Sequence, residues 1–87
     1  MAELKDEIRE LFDTLRTQRD DLRVRMNLAG KEVRTEWEEL EKKWEHARGK
    51  LEVIGREAGD AARDVGSALR LVGEEIKKGY ARIRELV

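Results

Sequence analysis

The chain has 87 residues, a length that predicts a single domain, and 45% of its residues are charged. Its 19 basic residues are balanced by 20 acidic ones, so the basic excess that supports nucleic-acid binding is absent and no nucleic-acid partner is expected. The sequence contains no Cys, which excludes disulfides and thiolate metal sites and fits a reducing compartment.

The first segment, MAELKDEIRELF, is acidic and amphipathic. A secretory signal peptide has a basic start and a continuous apolar stretch, so we expect no signal peptide here. Farther along the chain no apolar run approaches the ~20 residues of a membrane span, and no transmembrane segment is predicted. These features together predict a cytoplasmic protein.

A single amphipathic stripe runs through the chain. Apolar residues recur at steps of three and four from Leu4 to Leu86, and only Gln18 and Gly79 interrupt them. This spacing predicts α-helix throughout, in one all-α coiled-coil domain over residues 1–87. One unbroken helix of this length would span ~130 Å and leave its stripe in water, so the chain must fold back or find a partner.

Three segments compete for the position of the turn, namely 27–30, 48–50 and 59–60. Local chemistry favours Gly59–Asp60, because Gly can end one helix and Asp can cap the next. The sizes of facing residues favour the middle segment instead, because a fold there sets large residues opposite small ones. We therefore predict an antiparallel helical hairpin or coiled coil that turns near Gly49–Lys50. The alternative is a three-helix bundle with turns near Gly30 and Gly59.

The hairpin register defines a predicted helix–helix interface. Its large residues would fill gaps left by the small ones and let two backbones approach closely. The predicted interface consists of Met26, Val33, Trp37, Leu40, Trp44, Gly55, Gly59, Ala62, Gly66 and Gly73. In that register the residues before Phe12 have no partner within the chain, so their apolar side would favour oligomerisation. The predicted oligomer face comprises Leu4, Ile8, Leu11, Phe12 and Leu15.

The residue types that usually carry catalysis or bind metals form no recognisable group. His46 is the only histidine, and its neighbours one helical turn away are Gly or Lys, which are poor metal ligands. Ser67 is the only serine and has no histidine near it in sequence. We therefore predict that the protein is not an enzyme and has no catalytic site, metal site or cofactor.

Two runs of sequence carry a resemblance to known proteins: EWEELEKKWEHARGKLE and, two residues after its end, GREAGDAARDVGSALRLVGEEIKKGYARIREL. Their paired tryptophans and spaced Gly and Ala positions resemble small uncharacterised bacterial coiled-coil proteins. The resemblance covers residues 20–86 and implies a helical coiled coil without an assigned activity.

Two functions are compatible with these features. The first is a non-enzymatic structural or protein-interaction module that forms a homo-oligomer or offers an apolar helical face to a partner helix. The alternative is peripheral association with a membrane surface through an amphipathic helix over residues 51–87. Basic and aromatic residues near the end of that helix support the alternative, namely Lys77, Lys78, Tyr80, Arg82 and Arg84.

Overall fold

The computed structural model describes residues 2–54, 56 and 59–87, including their side chains except those of residues 2–4 and 60. These residues form three α-helices and no strand: α1 spans Ala2–Arg25, α2 spans Lys31–Ile54 and α3 spans Gly59–Leu86. A short 3-10 turn, Met26–Leu28, follows α1. The prediction of an all-α fold is confirmed.

Hydrogen bonds from the backbone and from one arginine close the turn between α1 and α2. The Ala29 N–H donates to the Met26 carbonyl at 3.2 Å, and Ala29 is extended, with φ −78° and ψ 149°. The Arg34 guanidinium reaches back from the first turn of α2 and donates to the carbonyls of Met26 and Asn27 at 3.3 and 3.2 Å. Carbonyls at a helix C-terminus have no partner within the helix, so Arg34 satisfies groups that the end of α1 leaves free. A turn therefore falls near Gly30, as in the alternative prediction.

The next turn lies between Ile54 and Gly59. The Arg56 N–H donates to the Val53 carbonyl at 2.9 Å, and Gly59 has φ +67°, a left-handed conformation that Gly adopts without strain. The prediction of a turn at Gly49–Lys50 is wrong, because both residues lie inside α2. A lone Gly costs a helix interior only about 1 kcal/mol, which is too little to end a helix that packs along its whole length.

The helices run up, down and up. In facing pairs of α2 and α3 the residue numbers add to between 117 and 119, so these two antiparallel helices fold about residue 59 rather than residue 49. The pairs are Leu40–Gly79, Trp37–Tyr80, Lys43–Glu75 and Glu36–Arg82. α1 is parallel to α3, since Leu11 lies against Gly73 and Asp21 lies near Arg84. The molecule measures 44 × 18 × 16 Å, and its long axis is close to the ~42 Å expected for the 28 residues of α3.

The apolar stripe of the sequence is buried inside this three-helix bundle. Covering one such side chain from water stabilises the fold by roughly 1.5–3 kcal/mol, so this core is the main source of stability. The core includes Ile8, Phe12, Leu15, Leu22, Met26, Trp37, Leu40, Trp44, Ala47, Ile54, Leu69, Ile76, Tyr80 and Ile83.

Two glycines let α3 approach both other helices closely. A Cβ at Gly73 would lie 2.6 Å from Cδ2 of Leu11, and a Cβ at Gly79 would lie 2.6 Å from Cδ2 of Leu40. Carbon atoms in contact are ordinarily about 3.5–4.0 Å apart, so each leucine occupies space that a Cβ at the glycine would fill, and an alanine there would force the leucine to shift. α1 and α2 have no such notch between them, and their backbones approach each other less closely.

Candidate interaction surface

The structure gives the large residues of the predicted interface different partners. Trp37 stacks on Tyr80 with ring centroids 5.8 Å apart, and Leu40 packs against Gly79. Neither meets its predicted small partner, because the turn after Ile54 shifts the antiparallel register toward the C-terminus. A hairpin that turns at Gly49–Lys50 would set Trp37 opposite Ala62, Leu40 opposite Gly59 and Met26 opposite Gly73, and none of these pairs forms.

The other predicted interface residues take varied positions. Trp44 lies between α1 and α2, where its ring centroid is 5.9 Å from that of Phe12. Gly59 belongs to the turn and has nothing within 4 Å of the place its Cβ would take. Gly55 lies outside the described residues. Within the bundle, Val33 is half-buried, and the buried residues of the predicted set also include Met26, Ala62, Gly66 and Gly73.

The face predicted for oligomerisation is covered within the chain. Ile8, Phe12 and Leu15 are at most 4% exposed, and Leu11 inserts at Gly73. The hairpin left this segment without a partner, whereas the bundle places α3 parallel to α1 and covers it. Leu4 lies outside the described side chains.

An ion pair joins α1 to α2 in the middle of the molecule. The Arg19 guanidinium donates to both carboxylate oxygens of Glu41, from Nε at 2.6 Å and from Nη2 at 2.7 Å. The two side chains are only 17% and 28% exposed, and the guanidinium also lies 5.5 Å from the ring centroid of Trp44. The hydrogen bond to Glu41 raises the pKa of Arg19, so this arginine remains charged. Such two-point pairing fixes the orientation of the helices as well as their distance.

The seam between α1 and α2 opens into a groove of about 420 Å³. The buried rings of Phe12 and Trp44 lie at its floor, with the half-buried Leu51 beside them. Charged residues of both signs line it, namely Asp13, Arg16, Arg19, Asp20, Arg48 and Glu52. We call this surface the α1–α2 groove. The two rings are only 4% and 5% exposed, so a partner in the groove would meet mainly the half-buried Leu51 and the charged side chains.

Exposed apolar side chains continue the groove-lining stripe of α1. Val24 follows Asp20 by four residues and Asp13 by eleven, spacings that return to the same side of a helix. Val24 is 72% exposed, and Leu28, another four residues along, is 95% exposed. We call Val24 and Leu28 together the apolar ridge. Val24 lies two residues after the buried Leu22, on nearly the opposite side of α1, and Leu28 lies beyond α1 in the 3-10 turn.

Tyr80 is a core residue that the sequence pattern did not identify. It is 2% exposed, and its hydroxyl has no hydrogen-bond partner among the described residues, as is also true of Oε1 of Gln18. Burial raises the pKa of the Tyr80 hydroxyl far above its ordinary value, and the nearby Glu41 carboxylate adds to this effect. The signal in the sequence was the interruption of the stripe at Gly79, because Tyr80 takes the core position next to the notch.

The described residues contain no group of three or more His, Cys, Asp or Glu that could hold a metal ion. His46 is exposed on α2. None of the helices, in the part of the chain that is described, is both long and apolar enough to cross a membrane.

Comparisons of the chain with protein-family models, with curated proteins and with solved structures find no match. The function must therefore be inferred from the surfaces of the bundle itself. The resemblance to bacterial coiled-coil proteins stays a prediction.

Proposed function

We propose that this chain is a non-enzymatic protein-interaction module that binds a helical segment of another polypeptide in the α1–α2 groove. The groove is the observation that carries the proposal. Its floor is built from aromatic residues that belong to the core, so the site is fixed by the same packing that holds the bundle together. A partner would therefore meet a preformed surface and lose little affinity to reorganisation.

The chemistry of the groove suits a helix better than a small molecule. Its charged walls come from two antiparallel helices and run along the bundle, and the apolar floor lies between them. An amphipathic helix can place an apolar side chain against the half-buried Leu51 while its own charged residues pair with both walls.

Site-specific photo-crosslinking tests this proposal. A photoreactive residue replaces Arg16, in the groove, and in a second variant it replaces Ser67, which is exposed on α3 and lies away from the groove. Irradiation of cells that produce each variant is expected to give protein adducts from position 16 and none from position 67. Equal adducts from both positions, or none from either, would contradict the proposal.

A charge reversal at the opposite wall makes the test specific. Arg48→Glu changes the α2 wall of the groove without touching the photoreactive position on α1. We expect it to reduce the adducts at position 16, because a partner bound in the groove contacts both walls. An unchanged yield would place the partner outside the groove.

Membrane association through residues 51–87 would need a different arrangement. The apolar face of α3 packs inside the bundle, where Leu69, Ile76 and Ile83 are 0% exposed. Binding to lipid through that face would require the bundle to open. We therefore expect no co-sedimentation with anionic vesicles at low salt, where electrostatic attraction is strongest; binding under these conditions would revive the membrane hypothesis.

A cytoplasmic location is part of the same proposal. It is supported by the absence of Cys from the sequence and by its balanced charge. Fractionation of cells that produce the protein tests it, with the protein expected among the cytoplasmic proteins.

A further inference from the structure

We propose that the turn between α1 and α2 is a hinge. When it straightens, α1 and α2 become one continuous helix, and α1 packs on α3 of a second copy of this chain instead of on its own α3. Each copy gives its α1 to the other, so the contacts that α1 makes within one chain form between two chains. This conformational exchange goes beyond the proposed function and does not depend on the α1–α2 groove being occupied.

The turn after α1 lacks the features that ordinarily force a helix to end. The sequence contains no Pro, and none of residues 25–31, all of which are described, has a positive φ. The second turn, by contrast, has the left-handed Gly59. Arg25 still has helical angles, φ −73° and ψ −18°, and residues 26–28 form a 3-10 helix, so the clear departure from helical geometry is at Ala29, where ψ is 149°.

The apolar stripe continues through this turn without a change of phase. Leu22, Met26, Ala29, Val33 and Trp37 follow one another at steps of three and four residues. A helix that ran through the turn would therefore keep these side chains on one side. A straightened α1–α2 helix thus has a single apolar side along its whole length, as it needs in order to pack against one α3 at each end.

Hydrogen bonds from Arg34 hold the turn in its closed form. The guanidinium donates to the carbonyls of Met26 and Asn27 at 3.3 and 3.2 Å. In a continuous helix these carbonyls would instead accept from the backbone N–H groups four residues later, so the guanidinium would be released. Packing adds little in the middle of the turn, since Leu28 is 95% exposed and nothing described lies within 4 Å of the place a Cβ of Gly30 would take.

The surface that α1 leaves identifies the incoming partner as a second copy. Ile8, Phe12 and Leu15 are at most 4% exposed in the bundle, so a single chain with a straightened turn would lose this burial. Its α3 would also keep an empty notch at Gly73, which Leu11 fills in the closed bundle. The α1 of another copy fits this surface because it is the same helix. An exchange that is mutual closes as a two-fold dimer.

Sedimentation equilibrium tests the hinge on chains refolded from urea at micromolar to millimolar concentration, because refolding lets copies exchange α1 before the bundle closes. Gly30→Ala should raise the association constant of the dimer by about tenfold or more, since each dimer contains two straightened turns and Ala favours helix over Gly in both. Gly49→Ala is the matched control. It is also a glycine without a neighbour within 4 Å of its Cβ position, but it lies inside α2 in both forms and should leave the constant unchanged.

Two further variants act on the closed and the straightened turn in opposite directions. Arg34→Met removes the hydrogen bonds that hold the closed turn, so it should also favour the dimer. Lys31 is the first residue of α2, a position that Pro occupies readily, whereas Pro within a continuous helix removes a hydrogen bond and clashes with the preceding turn. Lys31→Pro added to Gly30→Ala should therefore return the chain to the monomer.

Paired cysteines show whether the dimer has exchanged α1, because the chain has no Cys of its own. One double variant is Asp21→Cys with Arg84→Cys, whose side chains join α1 to α3. The control is Lys43→Cys with Glu75→Cys, whose side chains join α2 to α3. In the Gly30→Ala dimer a short bismaleimide should link two chains through the first pair and only one chain through the second, which a denaturing gel distinguishes.

Two outcomes would overturn the inference. One is a Gly30→Ala chain that dimerises no more strongly than Gly49→Ala. The other is a Gly30→Ala dimer in which both cysteine pairs link only within one chain, since its copies would then associate without exchange of α1. Neither outcome decides the proposed function, which depends on the adducts at position 16.

Discussion

Glycines in this chain have different roles because their surroundings differ. Gly49 lies inside α2 with nothing within 4 Å of the place its Cβ would take, so it contributes no packing. Gly79 faces Leu40, whose two terminal methyl carbons would be 2.6 and 2.8 Å from an added Cβ. Gly59 is in the left-handed region, where a side chain is strained whatever the space around it.

The pair Gly49→Ala and Gly79→Ala tests this distinction. Gly49→Ala should raise the free energy of unfolding by about 0.5–1 kcal/mol, which is the gain in helix propensity. Gly79→Ala gains the same propensity but forces Leu40, which is only 7% exposed, to move within the core. Overpacking of this kind costs about 1–3 kcal/mol, so we expect a net loss of stability.

Urea unfolding at neutral pH measures the change in the free energy of unfolding for both variants. Gly49→Ala is the reference, because it changes helix propensity without changing any packing contact. A stabilising Gly79→Ala would show that Leu40 moves aside freely and that the notch is not required.

At Tyr80 a hydroxyl group is buried without a hydrogen bond from any described residue. A polar group left unsatisfied in a core costs about 1–3 kcal/mol, whereas its removal leaves the ring and its stacking on Trp37 in place. Tyr80→Phe should therefore raise the free energy of unfolding by about 1 kcal/mol at neutral pH. A loss of similar size would show that the hydroxyl is satisfied in solution, for example by water.

The same hydroxyl makes stability depend on alkaline pH. The phenol titrates near pH 10 in the unfolded chain, while burial keeps Tyr80 protonated in the folded chain. Above about pH 10 the unfolded state has lost a proton that the folded state keeps, so stability falls as the pH rises. Below that range the hydroxyl keeps its proton in both states, so its titration does not change stability. In urea unfolding from pH 8 to 11, the difference in free energy of unfolding between Tyr80→Phe and the wild type should grow with pH, because only the wild type has the buried phenol. Both proteins have the same lysines, so the titration of the lysines cancels in this difference.

Among the elements, α3 is the helix on which the other two assemble. It offers a notch to α1 at Gly73 and a notch to α2 at Gly79, and its own apolar residues lie at the centre of the core. The seam between α1 and α2 is built differently, from the rings of Phe12 and Trp44 and the ion pair of Arg19 with Glu41. Bulky side chains keep this seam wide, which is why the groove opens there.

A double-mutant cycle tests how strongly Arg19–Glu41 joins α1 to α2. We expect a coupling of about 1–2 kcal/mol from Arg19→Met and Glu41→Gln, because the pair is bidentate and mostly shielded from water. Lys43–Glu75 is the control: it also joins two helices, but its side chains are 49% and 61% exposed. Exposed pairs of this kind couple by at most about 0.5–1 kcal/mol.

Thermal or urea unfolding of the single and double variants gives both couplings. Equal couplings for the buried and the exposed pair would contradict the role given to Arg19.

For the whole molecule, lysine crosslinking distinguishes the bundle from a hairpin. Lys43 pairs with Glu75, which lies three residues before Lys78, so these two lysines are about one helical turn apart along α3. A hairpin folded at Gly49–Lys50 would separate them by ~30 Å. A short amine-reactive crosslinker should therefore join Lys43 to Lys78, and mixing isotope-labelled with unlabelled protein shows that the link forms within one chain. Failure to find a Lys43–Lys78 link within one chain would contradict the register of the bundle.

The pattern of the sequence determined which residues could be buried. The steps of three and four predicted helix and most of the core, including Ile8, Leu15, Trp44 and Ile76. The two interruptions of the stripe, Gln18 and Gly79, also have a structural meaning. They lie at the height along the bundle where Tyr80 fills the core. These properties depend on the helical period alone, which a sequence displays directly.

Only the tertiary structure decided where the chain turns, which residues face each other and where a groove remains. The same stripe can be folded in several registers, and matching large to small residues in one of them led to Gly49 instead of the turn before Gly59. The choice between registers depends on the burial of all three helices together. Residues far apart in sequence, such as Phe12, Trp44 and Leu51, form the α1–α2 groove only after that choice is made.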